Sequence, residues 1–523
     1  VSTPINKKYY TDNWAFSQSK WDLLIEGTTN YISLKIYDVS GNTSTYYDAF
    51  KVFKDTTSPS ITNNQTGDDI WRSSNTTIYN VNFEDTVGSL LNNIYVKVST
   101  YYPASSYIIE WTTISANINS NTKTGFGLTD YVFGLLQEGT NYIYIGADDN
   151  AKNFKNGGYL FYIKKDTTSP SIPSLISPSN QSSTNTLSVN FTWSNSSDLT
   201  SGVKGYEIYI STDENFNVII SSFVNATNRT ITLPKEDLYY WKVRSVDNAD
   251  NYSSFSSTYS VIVDTALPQI INNQSGDDIW ISSNSRLYSV YFNDTGGSKL
   301  SKFQIKATTG TNQTGTVLFN WTDLVTNINS NSYNSDWGLG AGEWGLLRSG
   351  TNYISVRIYD NAGNYDTKEA FYIRKDTVSP SIVDNQPGDD VWRNTNDGVY
   401  NVDFFDEHSG IKSIEIRFST STNGNDVIID WHNLGLALNQ GTTYYTDDWQ
   451  ISSTDFNALP TNKKSYVGLK IKDIADNVYI SSDVFYIQKD TDLPVITDLQ
   501  DGDTNWYRLN PGNIFKVYFD DYG

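Results

Sequence analysis

Between Tyr353 and Asp360 the side chains alternate strictly: Ile354, Val356 and Ile358 on one face, Ser355 and Arg357 on the other. A period of two marks a strand with one buried and one wet face. Asn361 to Asn364 follows as turn chemistry, because Asn and Gly tolerate positive φ. Ala370 to Lys375 then reads as a returning strand, so the pattern predicts a hairpin. No long stretch carries a helical period. One short turn is expected around Trp344 to Leu347. The chain therefore reads as all-β.

The hairpin is one copy of a repeat. An Asp-Thr-x-x-Pro segment begins at Asp55, Asp166, Asp264, Asp376 and Asp490, at intervals of 111, 98, 112 and 114 residues. That interval is the size of one β-sandwich. Trp71, Trp280, Trp392 and Trp506 each lie 16 residues after their boundary Asp, and Asp85, Asp294, Asp406 and Asp520 lie 30 after it. Each hairpin turn opens with an Asp (Asp38, Asp149, Asp247, Asp360, Asp473) and carries an Asn four residues later. A Tyr stands seven residues before each of those Asp: Tyr31, Tyr142, Tyr240, Tyr353 and Tyr466. That spacing predicts a tyrosine corner, in which a Tyr near the start of a strand bonds back to nearby backbone.

The strand ending in Asp-x-Ala-x-Asn, joined to the Asp-Thr-x-x-Pro linker, resembles the tandem Ig-like modules of bacterial and archaeal surface proteins. Phe191 to Trp193, Ser201 to Tyr206 and Tyr240 to Arg244 are similar to a fibronectin type III module. The expected organisation is a linear tandem array of Ig-like β-sandwiches. It comprises a partial module (1–54), Ig-like modules at 55–165, 264–375 and 376–489, a fibronectin type III-like module at 166–263, and a partial module at 490–523. The end pieces align with only the later and only the first strands of a module, so the sequence reads as a window on a longer array. The resemblance implies an extracellular location at the cell surface and is weak for function, since such modules serve many roles.

Composition narrows the chemistry. The 523 residues hold 37 basic and 58 acidic side chains, a net charge of −21. That charge repels phosphate backbones, so nucleic acid is not an expected partner. With no Cys and two His, disulfides, thiolate metal sites, cysteine nucleophiles and zinc sites lack their residues. Aromatic content of 14% supplies large side chains to bury. No apolar run is long enough to span a bilayer as a helix.

The candidate chemistry lies at the seams. On a sandwich plan the boundary Asp shares one end with the B–C loop and the F–G turn, and the preceding module's A–B segment should reach the same junction. The expected carboxylate clusters draw on Asp55, Asp85, Asp149, Asp68 and Asp69; on Asp166, Asp198 and Asp247; on Asp277 and Asp278; on Asp376, Asp406, Asp473, Asp389 and Asp390; and on Asp490. Two readings stand: an oxygen-rich seat for Ca2+, or carboxylates that cap turn N–H groups without metal. Module 166–263 lacks the Gly-Asp-Asp element, so the seam at Asp264 is expected to be the weakest seat. Trp71, Trp280, Trp392 and Trp506 are expected to pack between modules, and Trp111, Trp321 and Trp431 to serve core or lower-loop packing. Asn42, Asn75, Asn190, Asn228 and Asn320 head N-x-S/T sequons, making glycans candidate partners.

No nucleophile elbow, phosphate loop or zinc-protease motif occurs, and no catalytic residue is assigned. The expected role is structural: a segment of a surface layer, sheath, filament or adhesin stalk that self-associates. The alternatives are a carbohydrate-binding adhesin, for which module 166–263 is the first place to look, and an accessory region of an extracellular enzyme.

Overall fold

A computed structural model describes the chain except for residues 1–4, 6, 66–68, 275–277, 387–389, 440, 503, 514, 522 and 523. Residues 55–165 show the repeating plan. Their strands are β1 (Ser60–Asn63), β2 (Trp71–Arg72), β3 (Tyr79–Glu84), β4 (Leu91–Ser99), β5 (Ile109–Ser115), β6 (Thr122–Phe126), β7 (Gly139–Asp149) and β8 (Phe154–Lys165), with helix α1 (Asp130–Leu135) between β6 and β7. One sheet has the order β1-β3-β6, the other β2-β8-β7-β4-β5. The short β2 runs parallel to the end of β8, and all other pairings here are antiparallel.

Alternation places the core. Tyr79, Val81 and Phe83 of β3 point inward and are fully buried, as are Val96, Val98, Ile143, Ile145 and Phe161 from the facing sheet. Tyr79 stacks on Phe161 across the sandwich at 4.9 Å. The same pair recurs as Tyr288 on Phe371 at 4.2 Å and Tyr400 on Phe485 at 4.6 Å. The expected all-β class, built of repeated sandwiches, is what the chain adopts.

The chain divides into two compact units, residues 1–182 with 188–261 and residues 183–187 with 262–523. In the first, the sheets of residues 166–263 repeat both strand orders seen in 55–165. In the second, residues 264–375 and 376–489 do the same. The sequence separates one fibronectin-like module from three Ig-like ones, but strand order does not. The real difference is a helix. Ala341–Leu346, where the Trp344 turn is expected, and Ser453–Ala458 repeat α1. In module 166–263 four residues join Asn228–Thr232 to Asp237–Asp247, with no helix between them. That shortcut, four residues where 55–165 has 12, accounts for much of the difference between 98 and 111 residues. The terminal pieces form two-stranded sheets, Thr29–Tyr37 with Thr43–Phe53 and Val495–Asp498 with Val517–Asp520.

The tyrosine corner is displaced by one residue from its expected place. In three complete modules the residue eight before the hairpin Asp faces inward and bonds back, whereas Ser465 of the fourth is buried with its hydroxyl unpaired. Tyr239 is 1% exposed and donates from its hydroxyl to the Lys235 carbonyl at 2.9 Å. Asn141 donates to the Gln137 carbonyl at 2.8 Å, and Asn352 to the Arg348 carbonyl at 2.9 Å. A one-residue step along a strand reverses the face, so the Tyr at seven points outward. Tyr142 stacks there with Tyr102 at 5.8 Å, and Tyr353 meets Tyr372 at 6.1 Å.

The Trp assignments also change. Trp111, Trp321 and Trp431 are half-buried on the outer face of an edge strand, not in the core. Arg357 lies 4.1 Å from the Trp321 ring, and Arg417 lies 4.7 Å from Trp431. Trp193, Trp241, Trp337 and Trp449 are the buried ones.

Candidate cation seats at the module entrances

Each module begins with a set of hydrogen bonds that explains both repeated motifs. The boundary Asp folds one carboxylate oxygen over the amide two residues on: Asp55 to Thr57, Asp166 to Thr168, Asp264 to Ala266, Asp376 to Val378 and Asp490 to Asp492, all at 2.9–3.0 Å. This is the Asx turn that Asp-Thr-x-x-Pro encodes. In the four complete modules the other oxygen accepts from a B–C loop amide: Ser89, Ser201, Ser298 and Ser409 at 2.7–3.1 Å.

The hairpin Asp and Asn form a clamp. Asn364 donates its backbone N–H to Asp360 Oδ1 at 2.8 Å and its side-chain amide to Asp360 Oδ2 at 2.7 Å. The same Nδ2 donates to the Asp264 carbonyl at 2.9 Å. Asn153, Asn251 and Asn477 repeat the reach to the Asp55, Asp166 and Asp376 carbonyls at 3.0–3.1 Å. Two markers about 100 residues apart are thereby tied to one point.

The geometry gathers three carboxylates at each entrance. Asp55, Asp85 and Asp149 each place an oxygen within 4.8 Å of the others, as do Asp166, Asp198 and Asp247; Asp264, Asp294 and Asp360; and Asp376, Asp406 and Asp473. Donor satisfaction decides how the trios fit a hard cation. Asp294 Oδ1 accepts from Gly296 at 3.1 Å, and Asp406 Oδ1 accepts from Gly410 at 2.6 Å. The second oxygen, Oδ2, of Asp85, Asp294 and Asp406 is buried without a hydrogen-bond partner. These residues are only 2–3% exposed. Glycines bring the loop close: Gly88 has φ +102°, and a Cβ there would sit 2.6 Å from the Asp55 carboxyl. Such buried clusters can hold a metal ion.

The electrostatics follow from burial. Burial raises the pKa of Asp85, with the Asp55 charge adding to it, and raises those of Asp247, Asp294 and Asp360. Asp473 is pushed up to about 6, first by burial, then by the charges of Asp376 and Asp406 after the Asn477 hydrogen bonds oppose it. Asp166 goes the other way. Burial opposes its ionisation, but hydrogen bonds from Ser201 and Thr168 outweigh it and lower the pKa.

Several expected ligands lie elsewhere. Asp69 accepts from Tyr162 at 2.5 Å and from Lys164 at 3.0 Å, both on the last strand of its own module. Asp278 pairs likewise with Tyr372 and with Arg374 at 3.4 Å, and Asp390 with Tyr486. Asp69, Asp278 and Asp390 thus anchor the A–B segment to its own sheet and join no trio among the described residues. Asp68, Asp277 and Asp389 lie outside the described residues. Asp490 joins no trio among the described residues. Asp264, Asp294 and Asp360, at the seam expected to be the weakest seat, form a trio as buried as any. That expectation leaned on Gly-Asp-Asp, whereas the 30-residue register from Asp264 to Asp294 was the informative signal.

The A–B segment does reach the junction, by backbone. The amides of Asp166, Asp376 and Asp490 donate to the carbonyls of Arg72, Ile281 and Arg393 at 3.0 Å. Ser282 Oγ donates to the Ala475 carbonyl in the next module's hairpin at 2.8 Å. Trp71, Trp280 and Trp392 sit in this segment, paired in parallel with the last strand of their own module. Trp506 is fully exposed.

Sequence reading missed a lysine. Lys54, Lys165, Lys375 and Lys489 each precede a boundary Asp and are 6–8% exposed. Lys165 donates to the Leu136 carbonyl at 2.8 Å, Lys375 to Trp344 and Leu347 at 2.9 and 2.8 Å, and Lys489 to Asn457 and Leu459 at 3.0 and 2.9 Å. These are carbonyls at the C-terminal end of the short helix, where a cation is favoured. Module 166–263 has no such helix, and Val263 takes the lysine's place.

No protein-family model matches the chain, and no curated protein is similar to it. Among solved structures, the fibronectin(III)-like modules of Clostridium thermocellum CbhA are similar at 14% identity and TM-score 0.24, covering 39% of this chain and 94% of that one. The FN1–FN3 domains of chicken CNTN1 are similar at 14% identity and TM-score 0.23, covering 58% of this chain and 98% of that one. Among the described residues no helix is long and apolar enough to cross a membrane.

Proposed function

We propose that this chain is a non-catalytic structural segment of an extracellular, cell-surface assembly (a surface layer, sheath, filament or adhesin stalk) whose module entrances take up Ca2+. The supporting observation is the recurrence of a buried carboxylate trio at four successive module starts. Each trio includes a boundary Asp directly continuous with the last strand of the preceding module. An ion there neutralises mutual repulsion and holds the arriving strand, the B–C loop and the F–G turn together. Three carboxylates meet the preference of Ca2+ for oxygen, with carbonyls and water completing a shell of 6–8. Repetition at every module suits a load shared along the chain and does not suit a single reaction centre.

The test is removal and return of the ion. EDTA should lower the melting temperature of the purified chain, Ca2+ should restore it, and small-angle scattering should show a stiffer particle with Ca2+ present. Unchanged melting and scattering would remove the cation. Electron microscopy of concentrated chain should show ordered lateral contacts, and dispersed single particles at every concentration would remove the self-assembling role.

A further inference from the structure

The four trios are not chemically equivalent. In three of them the B–C loop Asp stands 30 residues after the boundary Asp, is almost fully buried, and keeps Oδ2 without a donor: Asp85, Asp294 and Asp406. A buried carboxylate oxygen with no partner is costly. It sits among two further carboxylates that are themselves short of positive charge.

Module 166–263 solves the same problem with its own N–H groups. Asp198 stands 32 residues after Asp166 and is only half-buried. Its Oδ1 collects the amides of Thr200, Ser201 and Gly202 at 3.0, 2.8 and 2.8 Å. Asp166 accepts from the Thr168 amide and hydroxyl at 3.0 and 2.7 Å and from Ser201 at 3.1 Å. Asp247 accepts from Ala249 and from both nitrogens of Asn251, each at 2.8 Å. None of these carboxylates has a buried oxygen without a partner. Asp198 Oδ2 takes no donor, but it is not buried, so water can serve it and this trio needs no ion to satisfy its oxygens.

We infer that the trios at Asp55, Asp264 and Asp376 bind a divalent cation and that the trio at Asp166 stays empty, giving three ions per chain. This rests on the cation reading above and adds which entrances are loaded. The orphan Oδ2 of Asp85, Asp294 or Asp406 supplies the ligand that the loop amides leave free. The Asp166 entrance is then a seam whose set does not depend on the ion.

The experiment counts ions on the full chain, freed of metal by dialysis and titrated with CaCl2 by calorimetry and equilibrium dialysis at neutral pH. Three ions per chain are expected. Asp85→Asn, Asp294→Asn and Asp406→Asn should each reduce the count to two, and Asp198→Asn should leave three. Each variant keeps an oxygen for the loop amides, and circular dichroism checks that it is folded. Four ions, or loss of an ion in Asp198→Asn, overturns the assignment while leaving the cation reading in place. No bound Ca2+, Mg2+ or Mn2+ at any concentration tested overturns the cation reading itself.

Discussion

At the residue scale, each entrance holds carboxylates whose ionisation the fold opposes. A pKa raised above its unfolded value stabilises the fold at low pH, and that stability is lost as pH rises through the folded value. Asp473, at about 6, sets the window. Its neighbours are Asp376 and Asp406, and His408 Nδ1 lies 3.9 Å from Asp376. The metal-free chain should therefore lose stability as pH rises from about 4 through about 6, at up to ~1.4 kcal/mol per pH unit for each proton involved. Ca2+ should abolish that slope. Melting temperatures across this pH range check it, and a metal-free chain that gains stability with rising pH would refute it. The spacing of the Asp residues was legible in sequence because turn and linker motifs are local. Which oxygen lacks a donor was not, because that depends on amides from three separate loops.

At the element scale, the pairs Lys165–Asp166, Lys375–Asp376 and Lys489–Asp490 each do two jobs on opposite sides of one strand end. The lysine closes the C-terminal end of a six-residue helix in its own module, and the Asp enters the next. Burial lowers the pKa of Lys375, yet its ammonium meets two carbonyls and lies 5.0 Å from the Trp344 ring. Lys375→Met should cost roughly 1–3 kcal/mol through the carbonyls it leaves unpaired, whereas the exposed Lys368→Met should cost nothing measurable. Urea denaturation separates the two, and equal stability of both variants would dismiss the cap. Of these helices only the one at Trp344 showed in the sequence, as a short turn, because six residues carry too little periodicity, and the lysine's role showed nowhere. The tyrosine corner was misplaced for a related reason: a two-residue period fixes alternation, but not which of two adjacent aromatic or polar residues turns inward.

At the scale of the whole molecule, the interior is divided among modules. Phe292, Phe303 and Ile354 belong to one core cluster, while Phe404, Phe418 and Val467 belong to another. Folding energy in such a chain is local to each module. Phe303→Ala should cost about 3–5 kcal/mol and shift one calorimetric transition while the others stay in place. A uniform shift of every transition would show a single cooperative body instead. The amino-acid sequence alone determined the module count, the strand alternation and the recurring Asp, Asn and Trp registers, because these follow from local periodicity and turn chemistry. Only the tertiary structure decided that Asp69, Asp278 and Asp390 pair with their own sheet, that lysines cap short helix ends, and which trios bury an oxygen without a donor. Those outcomes depend on side chains about 30 to 100 residues apart meeting at one point, and no local pattern records that meeting.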